Sequence, residues 1–365
     1  MLHIDQLLHI LVESDASDLH LRVGEPPVIR LHGSLTRLDF PVLNDREMYD
    51  LVYPIMNPER QARFEQTMEL DTSYAVPGLS RFRVNIFRQQ GHIGAVMRVI
   101  PFKIRSMEEL GMPSVTRQIA ERPRGLVLVT GPTGSGKSTS LAAMIDYINE
   151  RKAANIVTIE DPIEYVHTDK MCAINQREVG VDTHTFAAAL KHVMRQNPDI
   201  ILVGEMRDLE TIRLAITAAE TGHLVFATLH TVDAPQTIDR IIDVFEPDAQ
   251  QQIRMQLSVV LEAVISQTLL IRKEGNGRVA AFEVMIGTPA IRSLIREGKT
   301  YQIYTDIQTG QQFGMQTLDT SLLELVRRDL VHFEDALAKT SNVIEFQQRA
   351  RRMGLLNDMD FDQPT

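Results

Sequence analysis

The spacing of hydrophobic residues changes several times within the first hundred positions. Ile4, Leu7, Leu8 and Leu11 recur at the spacing of an amphipathic helix. Short apolar or alternating runs predict strands at 19–23, 28–31, 81–89 and 92–100, and the mostly polar stretch 45–66 predicts a helix. We therefore expect residues 1–100 to form an α+β domain. A linker is expected at 101–113, which has a proline at each end and little periodicity.

From residue 114 onward, predicted strands alternate with predicted helices. Short runs of apolar, often β-branched residues lie at 126–130, 156–160, 200–203 and 224–228. Parallel strands covered on both faces have this pattern, so we predict an α/β domain over 114–356. Its C-terminal part is expected to be a helical extension, with helices at 250–272, 289–297, 317–328 and 333–353. The tail 357–365 has no packing pattern and is expected to be disordered.

Composition narrows the class of protein. A chain of 365 residues with 44% apolar and 24% charged residues suits about two globular domains. The net charge of −10 argues against a general affinity for the nucleic-acid backbone. The single cysteine, Cys172, excludes a disulfide within the chain. The first residues lack a signal pattern and no stretch approaches the ~18 apolar residues of a membrane span, so we expect a cytoplasmic protein without direct membrane insertion.

A glycine-rich segment lies between the apolar run 126–129 and the helical pattern 140–149. It reads G-P-T-G-S-G-K-S over 131–138, a complete G-x-x-x-x-G-K-[ST] motif in a strand–loop–helix context. Glycines let backbone N–H groups turn toward a polyphosphate, and the helix N-terminus adds partial positive charge. Lys137 is expected to reach the β- and γ-phosphates of ATP, and Ser138 to hold Mg²⁺. The predicted nucleotide-binding residues are Gly131, Pro132, Thr133, Gly134, Ser135, Gly136, Lys137, Ser138 and Thr139.

Carboxylates follow two of the predicted strands. Glu205 comes just after the strand 200–203, where a residue that polarises the attacking water is needed. The strand 156–160 ends in an acidic cluster of Glu160, Asp161 and Glu164. Because the carboxyl ends of parallel strands meet at one edge of a sheet, these groups can share the ordering of water and of Mg²⁺. We take Glu205 and Glu164 as catalytic candidates and Glu160 and Asp161 as candidates for the Mg²⁺ site.

His230 follows the strand 224–228 and is expected at the same edge of the sheet. We interpret it as a γ-phosphate sensor that donates a hydrogen bond to the phosphate or to Glu205.

Three motifs together resemble a known family. The segments T-I-E-D-P-I-E-Y-V-H (158–167), R-Q-N-P-D-I-I-L-V-G-E-M-R-D (195–208) and T-A-A-E-T-G-H-L-V-F-A-T-L-H-T (217–231) are similar to the aspartate box, atypical Walker B motif and histidine box of secretion ATPases of the type II/type IV pilus class. Within that class, A-S-D-L-H-L (16–21) and A-I-R-S-L-I-R-E-G-K (290–299) point to the pilus retraction ATPases. Ser293 stands where the retraction motif usually has asparagine. The resemblance covers nearly the whole chain.

The resemblance implies a homohexameric motor that hydrolyses ATP and powers type IV pilus retraction. Its implied partner is the inner-membrane platform protein of the pilus machine, which would place the motor at the inner face of the cytoplasmic membrane. The implied fold is α/β, a RecA-like P-loop ATPase domain preceded by a PAS-like α+β domain that closes over the nucleotide. Arg81, Arg83 and Arg88 then resemble charge-neutralising fingers, with the residue that reaches ATP left open.

The helix expected at 289–297 carries the retraction motif. Helical spacing predicts that Ile291, Leu294 and Ile295 are buried and that Arg292, Ser293 and Arg296 face away from the core. In the retraction ATPases such an exposed polar face implies a force-coupling or partner-contact role.

Two other functions stay open at the level of sequence. One is a nucleotide-gated binding module in which turnover is incidental. The other is a RecA-like nucleic-acid translocase, against which the acidic balance and the absence of tryptophan argue.

Overall fold

The computed structural model describes residues 2–31, 33–100, 104–275 and 277–356, which divide into two units by their contacts. The first unit contains Met1–Lys103 and Pro162–Val166, and the second contains Ile104–Asp161 and His167–Thr365. The predicted tail 357–365 and the start of the predicted linker, 101–103, lie outside the described residues. The remainder of that linker belongs to the second unit, since Met107 and Met112 are buried in its core.

The first unit is built on an antiparallel sheet whose strands follow the order β3-β2-β1-β6-β5-β4. The strands are β1 (Asp18–Arg22), β2 (Val28–Leu31), β3 (Ser34–Arg37), β4 (Glu69–Val76), β5 (Ser80–Gln89) and β6 (His92–Ile100). Its helices are α1 (Ile4–Glu13), α2 (Asp45–Val52) and α3 (Pro58–Thr67). Alternation along β5 places Phe82, Val84 and Ile86 in the core and turns Arg81 and Arg83 to the opposite face.

The predicted helix 45–66 is interrupted. Pro54 lies in a short 3₁₀ turn, Tyr53–Ile55, and Pro58 begins α3. Proline lacks the N–H that a continuous helix needs, and Asn57 caps the new helix by accepting from the Arg60 amide at 2.8 Å.

The second unit has a mainly parallel sheet in the order β13-β12-β7-β11-β10-β8-β9, in which only the β12–β13 pair of the described strands is antiparallel. The predicted α/β class is therefore confirmed. The strands are β7 (Gly125–Thr130), β8 (Asn155–Glu160), β9 (Ala173–Glu178), β10 (Ile200–Val203), β11 (Leu224–Leu229), β12 (Leu261–Ile271) and β13 (Arg278–Ile286).

Helices pack against this sheet and continue beyond it. They are α4 (Val115–Ala120), α5 (Lys137–Asn149), α6 (Phe186–Val193), α7 (Leu209–Glu220), α8 (Ala234–Asp243), α9 (Pro247–Val260), α10 (Pro289–Glu297), α11 (Ile303–Thr309), α12 (Leu318–Arg327), α13 (Phe333–Leu337) and α14 (Val343–Arg352). No helix among the described residues is long and apolar enough to cross a bilayer.

The prediction of one helix over 250–272 is wrong. Helix α9 ends at Val260, and the chain continues as β12, which pairs with β7 on one side and with β13 on the other. Residues 261–271 are mostly apolar and, except for Ile271, buried or partly buried, because both faces of the strand are covered. Such a segment has no regular alternation that separates it from a buried helix. The C-terminal part is therefore not purely helical: a β-hairpin precedes its helices.

The predicted helix 333–353 is also two helices. Helix α13 ends at Leu337, and Asn342 caps α14 by accepting from the Glu345 amide at 3.2 Å. The helix that carries the retraction motif, α10, has the predicted bounds. Thr288 is its N-cap, and Gly298 ends it at a φ of 69°.

Candidate functional site

The glycine-rich loop joins β7 to α5 at the carboxyl edge of the second sheet. Gly131 has a φ of 142°, and a Cβ there would lie 2.3 Å from the carbonyl oxygen of Gln267, so only glycine fits. Lys137 folds back over the loop, and its Nζ donates to the carbonyls of Gly131 at 2.8 Å and Pro132 at 3.1 Å. The loop therefore holds an ammonium group at the N-terminus of a 13-residue helix, which is an arrangement suited to a polyphosphate.

Glu205 follows β10 at the same edge. The residue before it, Gly204, is closely packed against the neighbouring strand: a Cβ at Gly204 would lie 3.0 Å from the carbonyl oxygen of Ile159. The strand therefore has little room for a side chain at 204, and the carboxylate comes at 205. Thr228 Oγ1 donates to the Gly204 carbonyl at 2.5 Å and fixes this strand end to β11.

The Glu205 carboxylate lies between two cationic or potentially cationic groups. Arg207 Nη2 donates to Glu205 Oε2 at 2.6 Å, and His230 Nε2 lies 3.0 Å from Glu205 Oε1. Burial alone would raise the pKa of Glu205, but the hydrogen bond and charge of Arg207, together with His230, hold that pKa below its ordinary value. Glu205 is therefore ionised at neutral pH.

His230 connects Glu205 to the phosphate loop. While Nε2 faces the carboxylate, Nδ1 lies 3.5 Å from Thr133 Oγ1 of the loop. The ring is about half exposed, with 45% of the side chain accessible. Glu205 and His230 are thus in contact, and His230 also reaches the loop whose carbonyls bind Lys137, although the roles of these three residues stay predictions.

Glu160 ends β8, the strand beside β10, and Asp161 follows it. Glu160 Oε1 accepts from Thr158 Oγ1 at 2.6 Å and from Gln176 Nε2 at 3.1 Å, so its carboxylate is already held by two donors. Asp161 is exposed. The hydrogen bond with Glu205 is the main cause of the raised pKa of Arg207, and the charge of Asp161 adds to it.

The residues present fit a Mg²⁺ ion bound mainly through substrate oxygens. Among the described residues, no group of three or more His, Cys, Asp or Glu side chains could hold a metal by itself. Mg²⁺ is usually held by one or two protein oxygens plus phosphates and water, for which the half-buried Ser138 at the start of α5 is suited.

The other catalytic candidates lie in the first unit. Arg83 is 3.9 Å from Glu164, and both side chains are nearly half exposed. Arg81 Nη2 donates to Ser73 Oγ at 2.7 Å. Arg88 pairs with Glu65 at 3.0 Å and lies over the Phe64 ring, 5.6 Å from its centroid. Of these polar contacts, that of Arg83 with Glu164 is the longest, whereas Arg88 is held within the unit by Glu65 and Phe64.

Arg292, on the helix of the retraction motif, is less exposed than predicted. Its side chain is only 21% exposed, and its guanidinium donates to the carbonyls of Gly287 and Ser258 and to that of Val259, besides contacting Glu262. Ser258 and Val259 are in the last turn of α9, so Arg292 caps that helix. The prediction that Arg292 faces away from the core is wrong, and the polar face that remains is formed by Ser293 and Arg296.

Sequence reasoning missed two residues of the site, Arg207 and Gln267. Arg207 stands two positions after Glu205, and the signal that could have found it is a cation beside a strand-end carboxylate. Gln267 could not be placed beside the phosphate loop from the sequence, because the strand that carries it was predicted as part of a helix.

Comparisons with known proteins show which proteins this chain is similar to. A family model described as type II/IV secretion system protein matches residues 3–338. The type IV pilus retraction ATPase PilT of Pseudomonas aeruginosa is 57% identical over 92% of this chain and 97% of its own length. A twitching motility protein of Neisseria gonorrhoeae is 53% identical over 87% of this chain and 84% of its own. The crystal structure of the pilus retraction motor PilT with bound ADP superposes with a TM-score of 0.89, at 45% identity, covering 95% of this chain and all of that one.

Proposed function

The chain belongs to the type II/IV secretion system protein family, and from this membership we propose that it is an ATP-hydrolysing motor that powers type IV pilus retraction. One observation carries the ATPase part of the proposal: Glu205 is 3.0 Å from His230, which in turn reaches the phosphate loop that holds Lys137. Retraction as the mechanical outcome is supported by the full-length similarity to a pilus retraction ATPase.

The proposed mechanism begins at the phosphate loop. Lys137 now bonds two loop carbonyls, and on ATP binding it exchanges them for β- and γ-phosphate oxygens. The ionised Glu205 accepts a proton from the water that attacks the γ-phosphorus. As the bond to the bridging oxygen breaks, the charge that grows on the leaving ADP is stabilised by Lys137 and the loop amides. His230 orients Glu205 relative to the loop.

Other groups complete the proposed site. Ser138 would hold Mg²⁺, with Glu160 and Asp161 as further candidates for the site, and the bound ion would supply positive charge to the phosphate oxygens. Arg83, with Arg81 as the alternative on the same strand face, supplies the cation that closes over the γ-phosphate. We further propose that the motor is a homohexamer and that it acts on pilin through the inner-membrane platform protein, at the cytoplasmic face of that membrane. Binding of nucleic acid is not part of the proposal.

The test is ATP turnover by the purified chain, with and without single-stranded DNA, together with equilibrium binding of ADP. We expect turnover that is independent of DNA and is abolished in Lys137→Ala. The matched control is Lys152→Ala, which removes an exposed lysine away from the loop. Nucleotide binding without turnover would favour the gated binding module, and turnover that requires DNA would favour the translocase. Twitching in cells that carry only the Lys137→Ala variant would contradict the motor role.

A further inference from the structure

Gln267 of β12 is buried against the phosphate loop. Strands β12 and β7 pair in parallel up to Ser266 and Thr130, so Gln267 comes directly beside Gly131, the first residue of the loop. Thr130 Oγ1 donates to Ser266 Oγ at 2.8 Å and fixes this register. Gln267 itself is 3% exposed.

One residue of the loop bonds this glutamine, and two glycines of the loop lie close to it. Its Nε2 donates to the carbonyl of Ser135 at 2.6 Å. A Cβ at Gly131 would lie 2.3 Å from the Gln267 carbonyl oxygen, and a Cβ at Gly136 would lie 3.2 Å from Nε2. Gly131, Ser135 and Gly136 therefore all pack closely against Gln267, from the first residue of the loop to the residue before α5.

The hydrogen bond to Ser135 sets the direction of a neighbouring amide. In a planar trans peptide the C=O of one residue and the N–H of the next point in opposite directions. Because the Ser135 carbonyl is held toward β12, the Gly136 N–H is turned away from β12. In a glycine-rich phosphate loop the backbone N–H groups face the bound phosphate, and a Gly136 N–H turned away from the supporting strand is free to be one of them.

The burial of Gln267 offers little other benefit. Its amide oxygen is buried and has no hydrogen-bond partner among the residues that the structure describes. A buried amide that is only partly satisfied costs free energy, and an apolar residue would fill the strand without that cost. The donation to Ser135 is thus the feature that distinguishes glutamine from an apolar residue at this position.

We propose that Gln267 is a positioning residue for nucleotide binding, which aims the Gly136 amide into the phosphate cradle by holding the Ser135 carbonyl. The proposal rests on the proposed function, since it assumes that the cradle receives the phosphates of a nucleotide. Because the Gly136 amide contacts the phosphate in both ground state and transition state, loss of Gln267 weakens binding more than it slows the chemical step.

The test compares Gln267→Met, which keeps the length and loses the donor, with Gln267→Glu, which places an acceptor against the Ser135 carbonyl. For Gln267→Met we expect the Kd for ADP and the KM for ATP to rise about three- to tenfold, with kcat within about twofold. The effect of Gln267→Glu should be larger, more than about tenfold. If Gln267→Met does not fold, Gln267→Asn, which withdraws the donor by one methylene, takes its place.

The matched control is Gln316→Met. Gln316 Nε2 also donates to a backbone carbonyl, that of Phe282, at 2.8 Å, but it lies outside the phosphate loop. An equal loss of ADP affinity in Gln316→Met would show general destabilisation and overturn the proposal. Unchanged ADP affinity in Gln267→Met would also overturn it.

Amide hydrogen exchange tests the proposal without nucleotide. The Ser135 amide donates to the Pro132 carbonyl at 3.1 Å within the loop, and loss of the Gln267 contact should speed its exchange. Unchanged exchange of this amide in Gln267→Met would contradict the proposal even if wild-type turnover is normal. If the wild-type chain neither binds nor hydrolyses ATP, the proposed function fails, while faster loop exchange in Gln267→Met alone would still support the positioning contact.

Discussion

The guanidinium of Arg292 lies 2.7 Å from the carboxylate of Glu262, Nη2 to Oε1, and ties helix α10 to strand β12. Both side chains are about four-fifths buried, and Arg122 approaches the other carboxylate oxygen at 3.4 Å. The first arginine of the retraction motif thus stabilises the fold, which leaves Ser293 and Arg296, both partly exposed, as the polar residues of that helix face.

Arg292→Ala should therefore destabilise the protein. It removes a charge-assisted contact and leaves the last carbonyls of α9 without their donor, so we expect the free energy of unfolding to fall by about 2 kcal/mol. Urea denaturation at fixed protein concentration measures this. Ser293→Ala is the matched control, since its hydroxyl makes one exposed contact with Glu297 and its loss should cost less than ~0.5 kcal/mol. Equal stability of the two variants would mean that Arg292 does not stabilise the fold and would favour the surface role predicted from the sequence.

Glu205→Gln should keep nucleotide binding and lose hydrolysis. The amide retains the shape of the side chain but cannot take the proton of the attacking water, so kcat should fall by about 100-fold or more. Binding of ATP by calorimetry and turnover by phosphate release separate the two effects. Glu210→Gln, at an exposed position in the first turn of α7, is the control. Near-normal turnover in Glu205→Gln would move the assignment of the base to Glu164.

Arg207→Gln should shift the pH dependence of turnover. Burial raises the pKa of Glu205 and Arg207 lowers it, so without Arg207 the pKa rises and the carboxylate protonates at a higher pH. The acid limb of the kcat profile should then move to higher pH, with little change on the alkaline side. Arg213→Gln serves as control, because that arginine lies over the Phe245 ring. An acid limb that stays in place would show that another group sets it.

The sequence predicts the site better than it predicts the second half of the fold. Lys137, Glu205 and His230 follow apolar strands that are short, buried and bounded by clear motifs, and local pattern is enough to place them at one edge. Strand β12 could not be recognised because it lies between β7 and β13 inside the sheet and its faces are covered, with helices α8 and α13 in contact with it, so its sequence shows no regular alternation. Arg292 was misplaced because helical spacing defines a face, whereas its long side chain reaches back to the end of α9.

Arg83→Ala should lower turnover far more than Arg88→Ala. Arg83 is 46% exposed, and its ion pair among the described residues is a long one, 3.9 Å to Glu164. If it is the proposed arginine finger, its loss should cost about 10³ in kcat. Arg88 is committed to Glu65 and Phe64, and its loss should cost about 1 kcal/mol of stability with turnover retained. Turnover that is lost only in Arg88→Ala would reverse the assignment.

Glu283 should make stability fall as the pH rises toward neutrality. The carboxyl group is buried on β13 beside Asp233 and Asp319, and it accepts from the backbone of Ala234 and Leu318, the first residues of α8 and α12. The helix N-termini favour its ionised form, but burial is the larger effect and raises its pKa from 4.5 to about 7.

Between these two pKa values the unfolded chain has released the proton of Glu283 and the folded chain still holds it. The free energy of unfolding therefore declines with rising pH across this window, by at most about 1.4 kcal/mol per pH unit from this group, and levels off above it.

Glu283→Gln cannot ionise, so its curve should lack this decline. Burial raises the pKa of Asp233 and Asp319 as well, so part of the slope should persist in the variant. Urea unfolding from about pH 5 to about pH 8 measures the difference, with the exposed Glu334→Gln as control. Parallel curves for Glu283→Gln and wild type would mean that Glu283 is ionised throughout and that the helix N-termini outweigh its burial.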